Sequence, residues 1–72
     1  MNREQSYEVD LRPVSPAKGG GYMALVPELP GCKSDGDTPQ EALANAYDAI
    51  ACWIEGALEM GRLVPEPKRI IA

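Results

Sequence analysis

The segment from Thr38 to Gly61 constrains the chain most. It contains no basic residue and no proline after Pro39. Thr38-Pro39-Gln40-Glu41 is a capping box. The Thr38 hydroxyl can accept from the backbone N–H of Glu41, and the Glu41 carboxylate can reach back to Thr38. Pro39 sits at the first helical position, where a missing N–H costs nothing. Gly61 supplies a left-handed stop, and Pro65 and Pro67 prevent resumption. The spacing therefore predicts one helix from Pro39 to about Met60. A chain of 72 residues is one small domain. Committing so much of it to one helix leaves room only for short strands. At this size only about 60% of the unfolded surface is buried, so an oligomer or a partner is expected.

The rest of the chain reads as strands and turns. Tyr7-Glu8-Val9-Asp10-Leu11-Arg12-Pro13-Val14 alternates with period two, placing Tyr7, Val9 and Leu11 on one side and Glu8, Asp10 and Arg12 on the other. Pro13 either ends the ladder or forces an edge position. Residues 15–21, with three consecutive glycines, form a loop. Tyr22-Met23-Ala24-Leu25-Val26 is apolar on both faces, as suits a central strand. Pro27-Glu28-Leu29-Pro30-Gly31 turns the chain into a third short strand, Cys32-Lys33-Ser34-Asp35. The tail Lys68-Arg69-Ile70-Ile71-Ala72 predicts a short fourth strand returning parallel to the first by a right-handed crossover. The expected fold is a single α+β domain over residues 1–72: a three-stranded antiparallel meander, one long helix packed on it and a C-terminal strand, in the order β-β-β-α-β.

Two apolar stripes run along the helix. Leu43, Tyr47, Ile50, Ile54, Ala57 and Leu58 form the arc expected to face the sheet. Ala42, Ala46, Ala49, Trp53, Gly56 and Met60 form a second stripe of mostly small residues around one Trp. That stripe reads either as a wider core face or as a surface for a second subunit or protein. Gly56 weakens a helix interior by about 1 kcal/mol relative to Ala, and a close backbone contact there would explain it. The opposite face carries Glu41, Asp48, Glu55 and Glu59. Their formal −4 equals the net charge of the whole chain. Such a face is either solvated or an acidic ridge that steers a basic partner.

Composition removes several chemistries. A net charge of −4 repels phosphate backbones, so direct nucleic-acid binding is not expected. There is no histidine, which removes Ser-His and Cys-His nucleophile pairs and most zinc sites. No apolar run approaches the ~18–20 residues of a membrane span, and the polar N-terminus shows no secretory h-region. Two cysteines make no disulfide framework, so Cys32 and Cys52 read as reduced thiols of a cytoplasmic protein. Asp35-Gly36-Asp37 lacks the further oxygens of a calcium loop and reads as a turn into a helix N-terminus. The three glycines precede a strand rather than open a helix, so they read as a hairpin connection and not a phosphate cradle. No metal or other cofactor is expected.

Several pieces in order form a larger pattern. Gly20-Gly21-Tyr22-Met23-Ala24-Leu25-Val26-Pro27-Glu28-Leu29-Pro30-Gly31-Cys32 leads to Ser34-Asp35-Gly36-Asp37-Thr38. Glu41-Ala42, Asn45-Ala46, Ala49-Ile50 and Trp53-Ile54 follow, then Gly61-Arg62-Leu63-Val64-Pro65-Glu66-Pro67. From Tyr7 to Pro67 the chain resembles the N-terminal domain of the HicB antitoxin family. The resemblance implies a partial RNase H-like fold and an antitoxin that occludes HicA, a small basic toxin that cleaves mRNA. Many family members continue into a DNA-binding segment. Only five residues follow Pro67 here, so no such domain is expected.

The reading is therefore a non-enzymatic binder. Asp35, Asp37, Glu41, Asp48, Glu55 and Glu59 attract a HicA-type toxin, and Trp53 anchors it. Two alternatives stand beside it. One is a homo-oligomer without a toxin, paired through Ala42, Ala46, Ala49, Trp53, Gly56 and Met60. The other is a metal-dependent RNase H-like nuclease using Glu8, Asp10, Asp35 or Asp37.

Overall fold

The computed structural model describes residues 6–67. Three strands, β1 (Asp10–Pro13), β2 (Tyr22–Leu25) and β3 (Lys33–Gly36), form one antiparallel sheet in the order β1-β2-β3. A single α-helix, α1 (Pro39–Glu59), follows and packs on one face. The α+β meander-plus-helix expectation holds. The fourth strand, expected at residues 68–72, lies outside the described residues.

β2 is central because both its edges are paired: Leu11 lies opposite Ala24, and Ala24 opposite Ser34. β1 is shorter than its alternating pattern. Tyr7 and Val9 still turn inward ahead of it, Tyr7 at 2% exposure, while Leu11 is 38% exposed near the sheet margin. The Tyr7 hydroxyl donates to the carbonyl of Pro65, fastening the segment before β1 to the segment after α1. Ser15 opens a 3₁₀ turn at Pro16–Lys18, and the glycines then lead into β2.

Both ends of α1 follow the sequence signals. The Glu41 N–H donates to Thr38 Oγ1 at 3.1 Å. The reciprocal half differs by one residue: Glu41 Oε1 accepts from the N–H of Asp37 at 2.9 Å, not from Thr38. At the other end Gly61 adopts φ 71°, with Arg62 N–H donating to the Ala57 carbonyl and Gly61 N–H to that of Leu58. These two bonds make a Schellman stop.

The core has two parts. Ala24 of β2 meets Ala42 and Ala46 of α1, all at 0% exposure. Small side chains let the helix approach the sheet closely at its N-terminal half. Tyr7, Val26, Leu29, Cys32, Ile50 and Ile54 fill the second, larger cluster. Two expectations are corrected here. The buried line of α1 is Ala42, Ala46, Ile50, Ile54 and Ala57, so it runs between the two predicted stripes and takes members from both. Leu43 and Tyr47 are half-buried flanks, and Leu58 is 63% exposed. The close contact expected at Gly56 is also absent: a Cβ built there meets no heavy atom within 4 Å. The close approach falls at Gly36 instead, where an added Cβ would lie 2.5 Å from the Ala42 nitrogen.

Cys32 is buried and Cys52 exposed, both as free thiols. Burial pushes the Cys32 thiol up from its ordinary 9.0. The fold therefore favours the neutral thiol, and the unfolded chain releases this proton first as pH rises. The associated stability is intact below about pH 9 and is lost as pH climbs through the raised folded value. Urea midpoints measured on either side of that pH are expected to fall more for the wild type than for Cys32→Ala. Equal falls would remove Cys32 from the pH response.

Candidate protein-binding surface

The outer side of α1 is a line of charge. Glu41, Asp48, Glu55 and Glu59 are all exposed. At ~100° per residue they fall within about 40° of one another, one straight ridge along the helix. No basic residue of α1 breaks it. Exposed Cys52 lies on the same ridge. Asp37 joins it at the helix N-terminus, where its N–H bonds to the Glu41 carboxylate.

Asp35 does not join. It lies on β3 in the register row of Met23 and Arg12, so its side chain belongs to the sheet face turned away from α1. Its backbone carbonyl accepts from Asn45 Nδ2 at 2.8 Å, which ties β3 to the helix. Ser34 adds a second tie, its hydroxyl donating to the Ala42 carbonyl at 3.1 Å. These two polar residues position the helix, and the sequence reading passed over both as positioning groups. Their spacing, Ser34 to Ala42 and Asp35 to Asn45, carries no signal until the helix is known to cross β3.

The small-residue stripe divides. Ala42 and Ala46 are fully buried against the sheet, so they offer nothing to a second molecule in this fold. This corrects their place on an outer interface. Ala49, Trp53 and Gly56 are half-buried, and Met60 is 67% exposed. By helical geometry these four occupy the flank next to the acidic ridge, with Gly56 and Ala49 nearest the acids and Trp53 and Met60 beyond them. Trp53 donates from Nε1 to the Pro30 carbonyl at 2.9 Å. Its ring also borders a cleft of about 340 Å³ shared with Pro30, Arg62, Leu63 and Pro65. Leu63, at 94% exposure, is the most exposed large apolar residue of the described chain.

This is a surface with the composition of a protein interface: an indole with one polar handle, flexible Met and Leu groups, and a bordering row of like charge. Among the described residues no three His, Cys, Asp or Glu side chains are grouped to hold a metal ion. None of their helices is long and apolar enough to cross a membrane.

Comparison with known proteins gives the family. The chain is 48% identical over 50 residues to an uncharacterized 14.9 kDa protein of Haemophilus phage HP1, a match covering 69% of this chain and 38% of that protein. It is 42% identical over 52 residues to a UPF0150 protein of Synechocystis sp., covering 72% of this chain and 66% of the relative. It is 35% identical over 65 residues to Antitoxin HicB 1 of Photorhabdus laumondii, covering 90% of this chain and 40% of that antitoxin. The chain thus spans less than half the length of the phage protein and of the Photorhabdus antitoxin. The family model described as HicB-like antitoxin of bacterial toxin-antitoxin system matches residues 11–72, which takes in β1 from its second residue, β2, β3, the helix and the Trp53 flank. The chain therefore belongs to the HicB-like antitoxin family.

Proposed function

We propose that this chain is an antitoxin that binds and covers a small basic HicA-type ribonuclease toxin, without catalysis of its own. The observation that carries the reading is the unbroken acidic ridge of α1 beside a partly exposed apolar flank. Glu41, Asp48, Glu55 and Glu59 steer the basic partner, and Trp53 with Met60 holds it once docked. Gly56 supports the assignment. It weakens the helix, yet a Cβ added there would meet no atom of its own fold within 4 Å beyond the neighbouring helix backbone. A glycine in that position leaves room for a partner's backbone against the helix.

Association with a HicA-type toxin is expected to slow steeply with salt. The triple variant Asp48→Asn, Glu55→Gln, Glu59→Gln is expected to lower the association rate by about tenfold and flatten its salt dependence. Trp53→Ala is expected to speed dissociation instead. Stopped-flow or surface-based kinetics separates the two effects. An association rate indifferent to both salt and the triple variant would reject the steering role. A complex unaltered by Trp53→Ala would remove the anchor.

A further inference from the structure

The acidic ridge ends at a charge of opposite sign. Arg62 is the one basic residue between Lys33 and Lys68. It follows Glu59, the last acid of the ridge, across the helix stop and forms one wall of the cleft beside Trp53. Its side chain is exposed, and among the described residues it has no hydrogen bond or ion pair. The other walls, Pro30, Trp53, Leu63 and Pro65, are apolar apart from the backbone. An apolar recess with a guanidinium on its rim suits an apolar group next to an anion.

Three of the walls are fixed before anything binds. The indole of Trp53 is bonded to the Pro30 carbonyl, which ties two sides of the recess together. The backbone N–H of Arg62 donates to the Ala57 carbonyl as part of the helix stop. The Pro65 carbonyl accepts from the Tyr7 hydroxyl, and Tyr7 is buried in the core. A recess assembled from anchored pieces loses little conformational freedom when it is filled. At about 340 Å³ it lies at the small end of ligand clefts, with room for one large side chain.

The charges also give the surface a direction. From Glu41 to Glu59 the ridge runs roughly 27 Å with one sign, and only its far end turns positive. A partner basic throughout would gain along the ridge and be repelled at Arg62, beside the ring it has to cover. Building on the antitoxin reading, we infer that the Trp53 cleft receives one apolar side chain of the toxin flanked by a carboxylate, which pairs with Arg62. The toxin's contact surface is then bipolar: basic groups over the ridge, an apolar anchor, and an acid beyond it. Turned end for end, the same surface would set its acid against Glu41 and a basic group against Arg62. Arg62 thereby selects one docking orientation and rejects the other.

The sign of a single charge change tests this. Binding kinetics with a HicA-type toxin are measured for the wild type, Arg62→Lys, Arg62→Gln and Arg62→Glu. Arg62→Gln is expected to raise the dissociation constant about tenfold and Arg62→Glu further, chiefly through faster dissociation. Arg62→Lys keeps the charge without the planar fork and is expected to fall between the wild type and Arg62→Gln. An all-basic contact predicts the reverse order, with Arg62→Glu the tightest. Thermal melts of the free variants are expected to match the wild type, since only the backbone of Arg62 is bonded within the fold. An Arg62→Glu complex as tight as the wild type, or tighter, would overturn the inference and leave the antitoxin reading standing. A wild type that does not bind the toxin would remove both.

Discussion

Gly36→Ala is expected to lower the melting temperature by roughly 12–24 °C, taking a cost of about 3 kcal/mol and ~4–8 °C per kcal/mol for a domain of this size. The new methyl group would sit 2.5 Å from the Ala42 nitrogen and 2.8 Å from the Glu41 carbonyl carbon. Both are backbone atoms in the first turns of α1. No side-chain rotation relieves that contact, so the helix must lift from β3. Lifting it strains the Ser34 and Asn45 hydrogen bonds and separates Ala42 and Ala46 from Ala24. Gly56→Ala is the matched control, a methyl group added on the same helix in open space. It is expected to raise the melting temperature by a few degrees through helix propensity, about 1 kcal/mol at most. Thermal melts of the pair decide the matter. Similar shifts in both variants would show that crowding at Gly36 is not what fixes the helix.

Leu29→Ala carries the second large effect, about 2–5 kcal/mol. Leu29 lies in a turn, yet it is at 0% exposure and belongs to the larger core cluster with Ile50 and Tyr7. Its backbone is held on both sides: its N–H donates to the Val26 carbonyl, and its carbonyl accepts from the N–H of Cys32. The fixed backbone prevents the turn from collapsing into the space the truncation leaves. A domain of this length has roughly 4–11 kcal/mol in total, so the loss is a large fraction of it. Leu58→Ala, on a side chain 63% exposed, is expected to change stability by at most about 0.5 kcal/mol. Urea titrations of the two variants measure the contrast. A Leu29→Ala midpoint close to that of Leu58→Ala would place the turn outside the core.

The helix was the most legible element. Its cap and stop are local chemistry, and Thr38, Pro39 and Gly61 each do what their side chains or backbone freedom require. The strands were readable as existing and in their order, because Pro and Gly punctuate them. The exact buried line of α1 was not. Periodicity gives an arc but not the angle at which the helix meets the sheet, and here the all-alanine end of the contact draws the helix inward at Ala42 and Ala46. Leu29 was invisible for the opposite reason: a turn composition says nothing about which of its side chains folds back. The four acids of the ridge could be aligned from sequence because they share one helix. Asp35 could not be sorted from them, since its side depends on strand register, and a one-residue step reverses a strand's face. That Met23 and Leu25 share the face turned away from the helix likewise emerges only with the register.

The hydrogen bond from Trp53 to Pro30 has a practical consequence. The chain contains one tryptophan, so its fluorescence comes chiefly from a single known place. That indole bridges the helix and the turn before β3, with one flank toward water. Its emission serves as an intrinsic gauge of two events. Release of the turn moves the spectrum to longer wavelength, and a ligand closing over the ring moves it to shorter wavelength.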